Sequence, residues 1–140
     1  MTAPGGGAIA EIAQVLGTYF DGLHHSDVER LGQVFHPAAI YATATEGPLT
    51  HLTMSEYFPI VAEREAPAAR GEARRDEIVS IELAGPVTAV ARVRCAIGPK
   101  HFTDLLTLVR LEDRWQIIAK VFHFELQPID RPQEVRACRT

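Results

Sequence analysis

The first part of the chain carries apolar residues at helical spacing. Between residues 8 and 25 they recur every three or four positions, so one face of a helix there would be apolar: Ile9, Ile12, Leu16, Tyr19, Phe20 and Leu23. Ser26 and Glu29 have the spacing of a capping box, which predicts the start of a second helix. That helix is short, because Pro37 disfavours helical geometry at His36.

A strand pair and a third helix are predicted to follow. Residues 38 to 45 and 49 to 52 have strand composition and are separated by a glycine-proline turn, so we expect a hairpin. Thr53 and Glu56 repeat the capping-box spacing and predict a third helix. Pro59 lies within that helix and is expected to kink it.

The second half of the chain changes from helical to alternating spacing. Four strand-like runs are separated by short turns, which favours an antiparallel meander; they cover residues 76 to 84, 86 to 97, 101 to 111 and 114 to 126. The last two runs are apolar on both faces. Such a sheet needs two coverings, and we expect the helices to cover one face and a second subunit the other. The predicted fold class is therefore α+β.

Length and charge narrow the function classes. The 140 residues suffice for one domain, predicted over 8 to 126, between a flexible start at 1 to 7 and a C-terminal tail at 127 to 140. A net charge of -4 gives no basic surface for nucleic acid or anionic membrane, and no apolar run is long enough to span a bilayer. We expect a soluble, cytoplasmic protein in which Cys95 and Cys138 are free thiols.

Three segments carry a resemblance to a known superfamily: Tyr19-Phe20-Asp21-Gly22, Phe35-His36-Pro37, and the run from Trp115 to His123. Together with the order of helices and strands, they resemble the nuclear transport factor 2-like (NTF2-like) superfamily, and within it the lumazine-binding branch close to the SnoaL-like polyketide cyclases. The resemblance covers residues 8 to 126. It implies a cone-shaped, curved antiparallel sheet wrapped by three helices, an apolar pocket, and a homodimer formed through the outer face of the sheet.

The resemblance implies a choice among several activities, since the superfamily hosts ketosteroid isomerases, dehydratases, epoxide hydrolases, cyclases and non-catalytic binding proteins. Tyr19 matches the tyrosine of a ketosteroid isomerase, but the two carboxylate positions of that enzyme fall on Thr43 and Thr107. Threonine cannot remove a carbon-bound proton at neutral pH, so steroid isomerisation is disfavoured.

Three side chains are candidates for catalysis. His123 shares its alternation with Ile117, which places the imidazole on the predicted pocket wall, where it would transfer a proton. Tyr19 would polarise a substrate carbonyl, and His36, at the end of the second helix, would face the pocket mouth. The alternatives are structural roles, in which each side chain is satisfied by a partner within the protein.

A second set of side chains is predicted to line the pocket and bind the substrate: Tyr41, Met54, Tyr57, Phe58 and Thr107. The alternative is that these are plain core residues. Asp104 is predicted on the outer face of the sheet with Arg92, Arg94 and Lys120, where an ion network at the dimer interface is the favoured interpretation.

We expect neither a metal nor a cofactor. His24 and His25 are adjacent and diverge on a helix, and His36, His101 and His123 would have to be brought together by the fold. The chain has no glycine-rich phosphate loop and no G-x-S-x-G motif. The favoured function is a pocket for a small apolar, carbonyl-bearing or aromatic molecule, with acid/base isomerase, cyclase or dehydratase activity. The alternative is a non-catalytic ligand-binding or dimerisation module.

Overall fold

The computed structural model describes residues 4 to 127, with three helices and six strands. The helices are α1 (Pro4–His25), α2 (Val28–Val34) and α3 (Met54–Glu63). The strands are β1 (Phe35–Thr43), β2 (Thr50–Thr53), β3 (Glu77–Leu83), β4 (Thr88–Ile97), β5 (Lys100–Leu111) and β6 (Arg114–Leu126). The predicted α+β fold class is confirmed, and α1 begins earlier than its apolar pattern predicted.

The six strands form one curved sheet in the order β2-β1-β6-β5-β4-β3. Strands β3 to β6 make the predicted antiparallel meander, and β1 and β2 pair as the predicted hairpin. β1 lies parallel to β6, which the local sequence pattern did not predict. The helices cover one face of this sheet, where the core lies; its largest fully buried side chains include Ile12, Leu16, Leu31, Leu106, Leu108 and Ile117.

Side-chain caps begin the two shorter helices. The predicted capping box at Ser26 is wrong: Ser26 has φ 49°, and Asp27 is the N-cap of α2, where its carboxylate accepts from the amides of Glu29 and Arg30. The box formed by Thr53 and Glu56 is confirmed at the start of α3. Pro59 lies inside α3, and the helix continues on both sides of it.

A bulge in β6 reverses which residues face the core. Thr107 pairs with Ala119 but Leu108 pairs with Ile117, so Ile118 is an extra residue with no partner across the ladder. Before the bulge the odd-numbered residues face the helices; after it the even-numbered residues do, and Lys120, Phe122 and Phe124 are buried. A one-residue shift of this kind exchanges the two faces of a strand.

None of the helices in the described part of the chain is long and apolar enough to cross a membrane. Most of the predicted C-terminal tail, including Cys138, lies outside the described residues. The segment after α3 is tied to α1 at two points: the amide of Ala68 donates to the carbonyl of His24 at 3.0 Å, and Arg74 Nη1 donates to Asp21 Oδ1 at 2.7 Å.

Candidate functional site: a charged cluster beneath the helices

A carboxylate lies in the middle of the core. Asp104 is 0% exposed and stands on the inner face of β5, between Val93 of β4 and Phe122 of β6. The Tyr19 hydroxyl, from α1, donates to its Oδ2 at 2.5 Å. The other oxygen, Oδ1, is buried and has no hydrogen-bond partner. A buried charge is costly unless neighbouring groups compensate it, so the surroundings of Asp104 are informative.

One compensating group is the ammonium of Lys120, on β6. Lys120 is 5% exposed and is the diagonal neighbour of Asp104 on the same face of the sheet. Its Nζ donates to the Tyr57 hydroxyl at 3.2 Å and lies 5.1 Å from the ring centroid of Tyr19 and 5.7 Å from that of Tyr41. Aromatic faces attract a cation, so these rings stabilise the charged form of the lysine.

The ionisation states follow from burial and from these neighbours. Burial raises the pKa of the Tyr19 hydroxyl well above its usual value, and the negative charge of Asp104 raises it further. For Lys120, burial alone disfavours the ammonium, but the influence of Tyr57 and then of Asp104 outweighs it, and the pKa is raised. At neutral pH the cluster therefore contains a neutral Tyr19 and a charged Lys120.

A small cavity of about 30 Å³ adjoins the Lys120 ammonium. Its polar lining comes from Lys120, Tyr41, Tyr57, Arg64 and Cys95, and its apolar lining from Leu23, Ile97, Phe102 and Phe122. Burial, followed by the charge of Asp104, raises the pKa of the Cys95 thiol to about 12, so this cysteine is no nucleophile at neutral pH. Burial also raises the pKa of Tyr41. The polar groups of the cavity are thus hydrogen-bond donors and cations.

Comparison with known proteins identifies the family. The family model described as "Putative lumazine-binding" matches residues 7–123, which is most of the chain. The chain belongs to this lumazine-binding family. Among solved structures, an NTF2-like protein from Silicibacter pomeroyi has a TM-score of 0.78 at 22% identity, covering 89% of this chain and 100% of that one. The predicted NTF2-like fold is confirmed.

Two further relatives of this lumazine-binding family member carry names that refer to activities. A ketosteroid isomerase-like protein from Erwinia carotovora atroseptica has a TM-score of 0.63 at 12% identity, covering 82% of this chain and 94% of its own. A protein named aldolase FrzH from Cladobotryum sp is 23% identical over 107 residues, covering 75% of this chain and 82% of the relative. At these identities the structural likeness establishes the fold alone.

The predicted location of Asp104 on the outer face is wrong. Arg92 and Arg94 do lie on the outer face, but Lys120 shares the inner face with Asp104. Both faces of β5 carry leucines, so alternation gave no preference for either face. The pairing of Asp104 with the buried Val93 decides which face is inside. The predicted position of Thr107 is wrong for the same reason. Thr107 was expected on the inner face, but it lies on the outer face, between Val90 of β4 and Ala119 of β6.

His123 also lies on the other face from the one predicted. Its side chain is 62% exposed, because the bulge at Ile118 turns it outward, where it contacts Thr45 Oγ1 at 3.2 Å and Glu125 at 3.6 Å. It borders an outer groove of about 350 Å³ together with Arg94 and His101. The imidazole is therefore separated by the sheet from the cavity it was predicted to line.

The remaining predicted residues are divided between cavity and core. Tyr41 and Tyr57 line the cavity. Tyr19, Met54 and Phe58 are not among the described residues that line the cavity. Tyr19 donates a hydrogen bond to Asp104, and Met54 is buried in the core. Phe58 packs edge-on against Phe35, with ring centroids 6.2 Å apart. His36 has a partner within the protein, since its Nδ1 accepts a hydrogen bond from the amide of Ala38 at 2.9 Å.

Two important cavity residues were not anticipated by the sequence analysis. Lys120 carries a signal, because it interrupts the apolar run from Ile117 to Phe122, where a charge is costly unless it has a buried role. Arg64 carries none, since it lies at the C-terminal cap of α3 among other charged loop residues. Within residues 4 to 127, no three histidine, cysteine, aspartate or glutamate side chains are grouped so that they could hold a metal ion.

Proposed function

We propose that this protein is an acid/base enzyme that binds a small carbonyl compound in the interior cavity and polarises its oxygen through Tyr57 and Lys120. One observation carries the proposal: Lys120 Nζ donates to the Tyr57 hydroxyl at 3.2 Å, and both side chains are buried. Because that hydroxyl oxygen accepts from an ammonium, its own proton is available for a hydrogen bond to a substrate oxygen.

Such a pair favours enolate formation. A carbonyl oxygen gains negative charge when a neighbouring carbon loses a proton, and a preorganised donor in a site with little water stabilises that charge. The loss of one such donor commonly costs about 10²–10³ in rate. Lys120 supplies the fixed positive charge beneath the donor, and the aromatic lining from Tyr41, Phe102 and Phe122 suits an apolar or aromatic substrate body.

Asp104 is the proton acceptor we assign. It is the one fully buried acidic side chain in the described part of the chain, and its Oδ1 accepts no hydrogen bond. Oδ2 is held by Tyr19, which fixes the orientation of the carboxylate. Asp104 lies behind the cavity lining, so proton transfer to Oδ1 requires the side chains that cover it to move. Asp104→Asn preserves the shape and removes the base, and should abolish turnover.

The relatives support enolate chemistry in general terms. Isomerisation of a ketosteroid and an aldol reaction both pass through an enolate or enol, and these are the two activities to which the relatives' names refer. A steroid is far larger than a cavity of about 30 Å³. We therefore assign the shared enolisation step rather than either relative's reaction.

The test is deuterium exchange next to a carbonyl. Acetone, pyruvate, cyclohexanone and acetophenone are incubated separately in D₂O with the protein, and loss of the α-proton signal is followed by NMR. We expect accelerated exchange for at least one ketone. The exchange rate should fall tenfold or more in Tyr57→Phe and in Lys120→Met and should not change in His101→Ala.

Wild-type exchange at the rate of buffer alone would overturn the proposal. Loss of exchange in His123→Ala would also overturn it and would support the hypothesis based on sequence.

A non-catalytic module is the second candidate, and the size of the cavity favours it. The interior is mostly filled by side chains, and about 30 Å³ holds one or two water-sized groups. In that case none of the four ketones would exchange its α-protons faster than in buffer alone.

We also propose that the protein forms a homodimer through the outer face of the sheet. Leu105 and Val121 pair directly there, beside Val90, and all three side chains are partly exposed. An apolar patch at the centre of a sheet face is the kind of surface that a second subunit covers. Sedimentation velocity of wild type and Leu105→Asp tests this, with a dimer expected only for the wild type.

A further inference from the structure

The guanidinium of Arg64 is the least satisfied cation of the described interior. Arg64 is a half-buried residue of the cavity lining, and its Nε and Nη2 are covered by neighbouring atoms and have no hydrogen-bond partner. Buried N–H groups without acceptors cost about 1–3 kcal/mol each, and more when the group is charged. Two such donors on one planar group are a strong indication that an acceptor belongs there.

The neighbours of Arg64 do not supply that acceptor. Glu63 and Glu65 flank it in the sequence, yet both are exposed. Asp104, the one fully buried carboxylate among the described residues, accepts a hydrogen bond from Tyr19 and offsets the charge of Lys120. Asp104 therefore balances Lys120, and the half-buried Arg64 is left without an anionic partner among the described residues. A ligand carrying one negative charge would balance it.

We propose that the ligand of this cavity carries a carboxylate, which binds the Arg64 guanidinium; contact with Nε and Nη2 requires the side chains that cover them to move, as for Oδ1 of Asp104. The inference rests on the proposed function for the carbonyl at the other end of the ligand, so the substrate class is a small oxo acid. Nε and one terminal nitrogen of a guanidinium point in parallel and match the two oxygens of a carboxylate. A cavity of about 30 Å³ accommodates a group of this size, with the rest of the molecule extending along the partly exposed Phe102 and Ile97.

Charge and geometry favour a carboxylate over a larger anion. A phosphate would bring up to two negative charges and four oxygens to a site that has one uncompensated positive charge. The phenols of Tyr41 and Tyr57 beside Arg64 can donate to the same ligand but carry no charge that competes with it.

Paired probes that differ only in charge test the inference. Propionate and propionamide have nearly the same shape, and binding of each to the whole protein is measured by NMR titration of backbone amide signals. We expect wild type to prefer propionate by tenfold or more, Arg64→Met to lose that preference, and Arg64→Lys to keep part of it. Arg94→Gln, on the outer face, is the matched control and should bind both probes as wild type does.

The outcomes separate this inference from the proposed function. Propionate has no ketone, so its binding does not depend on polarisation of a carbonyl by Tyr57. Preference for propionate without deuterium exchange on any ketone would support the carboxylate site and contradict the proposed enzymatic activity.

Three results would overturn the carboxylate site: equal binding of the two probes by wild type, no binding of either probe, or a preference that survives in Arg64→Met. Tighter binding of inorganic phosphate than of propionate would overturn the carboxylate assignment. If Arg64→Met does not fold, the wild-type and Arg64→Lys comparisons decide the matter.

Discussion

The two faces of the same sheet use charge in opposite ways. On the inner face Asp104 and Lys120 are almost entirely excluded from water; Tyr19 of α1 donates to one oxygen of Asp104, and its ring lies beside the Lys120 ammonium. On the outer face, one residue further along the same strands, His123 contacts Glu125 while both remain more than half exposed. The inner charges are fixed by the fold, whereas the outer ones are screened by solvent.

The difference shows which ionisable groups the fold holds away from water. The His123 imidazole is exposed and its partner is solvated. Asp104 and Lys120 are enclosed among aromatic rings, and one oxygen of Asp104 has no hydrogen-bond partner. The proposed function therefore depends on the inner face of the sheet, and none of the described histidines lines its cavity.

The largest expected contrast is between two adjacent leucines. Leu106 is 0% exposed and Leu105 is 40% exposed on the opposite face. Leu106→Asp buries a charge without a partner and should cost more than about 4 kcal/mol, enough to unfold the protein. Leu105→Asp should fold, as judged by circular dichroism and urea titration. A folded Leu106→Asp, or an unfolded Leu105→Asp, would mean that the faces are assigned in reverse.

A smaller contrast is expected for the titratable residues. Asp104→Ala leaves the Tyr19 hydroxyl unpaired and removes the negative charge beside Lys120, so the free energy of unfolding should fall by about 3 kcal/mol. His123→Ala removes an exposed side chain and should change it by less than about 0.5 kcal/mol. Both values come from urea denaturation at neutral pH, and equal losses in the two variants would contradict the comparison.

The smallest effect concerns alkaline pH. The pKa of Cys95 is raised from about 9 when unfolded to about 12 when folded, so between these values the folded state holds a proton that the unfolded state has lost. Its contribution to stability is complete below pH 9 and is lost as the pH rises towards 12, with a slope of at most about 1.4 kcal/mol per pH unit.

Cys95→Ala should therefore flatten the fall in unfolding free energy between pH 9 and 11, as measured by urea denaturation at each pH. His123→Ala, which removes an exposed side chain on the other face of the sheet, should leave the slope unchanged. An unchanged slope in Cys95→Ala would place the thiol in contact with solvent.

Local sequence patterns were sufficient to predict the helices and strands but not to predict which residues form the candidate site. The spacing of Leu16 and Tyr19, the Thr53 capping box and the turns of the meander depend on neighbours within a few residues, so they could be predicted from sequence. The face of β5 that carries Asp104 depends on its register with β4, across the turn at Gly98. The face of β6 that carries His123 depends on the bulge at Ile118, which no residue type in the strand marks.

The sequence by itself determined the helices, the strands, the meander and the family, because periodicity and turn residues act over short distances and favour one fold. Tertiary structure alone decided which charges are inside. A sheet that is apolar on both faces has the same alternation in either register, and only pairing between strands, together with the helices laid across them, makes one face the core. For that reason Tyr19 could be placed from the sequence, whereas the burial of Asp104 and Lys120 on the inner face and the unpaired nitrogens of Arg64 were decided only by the fold.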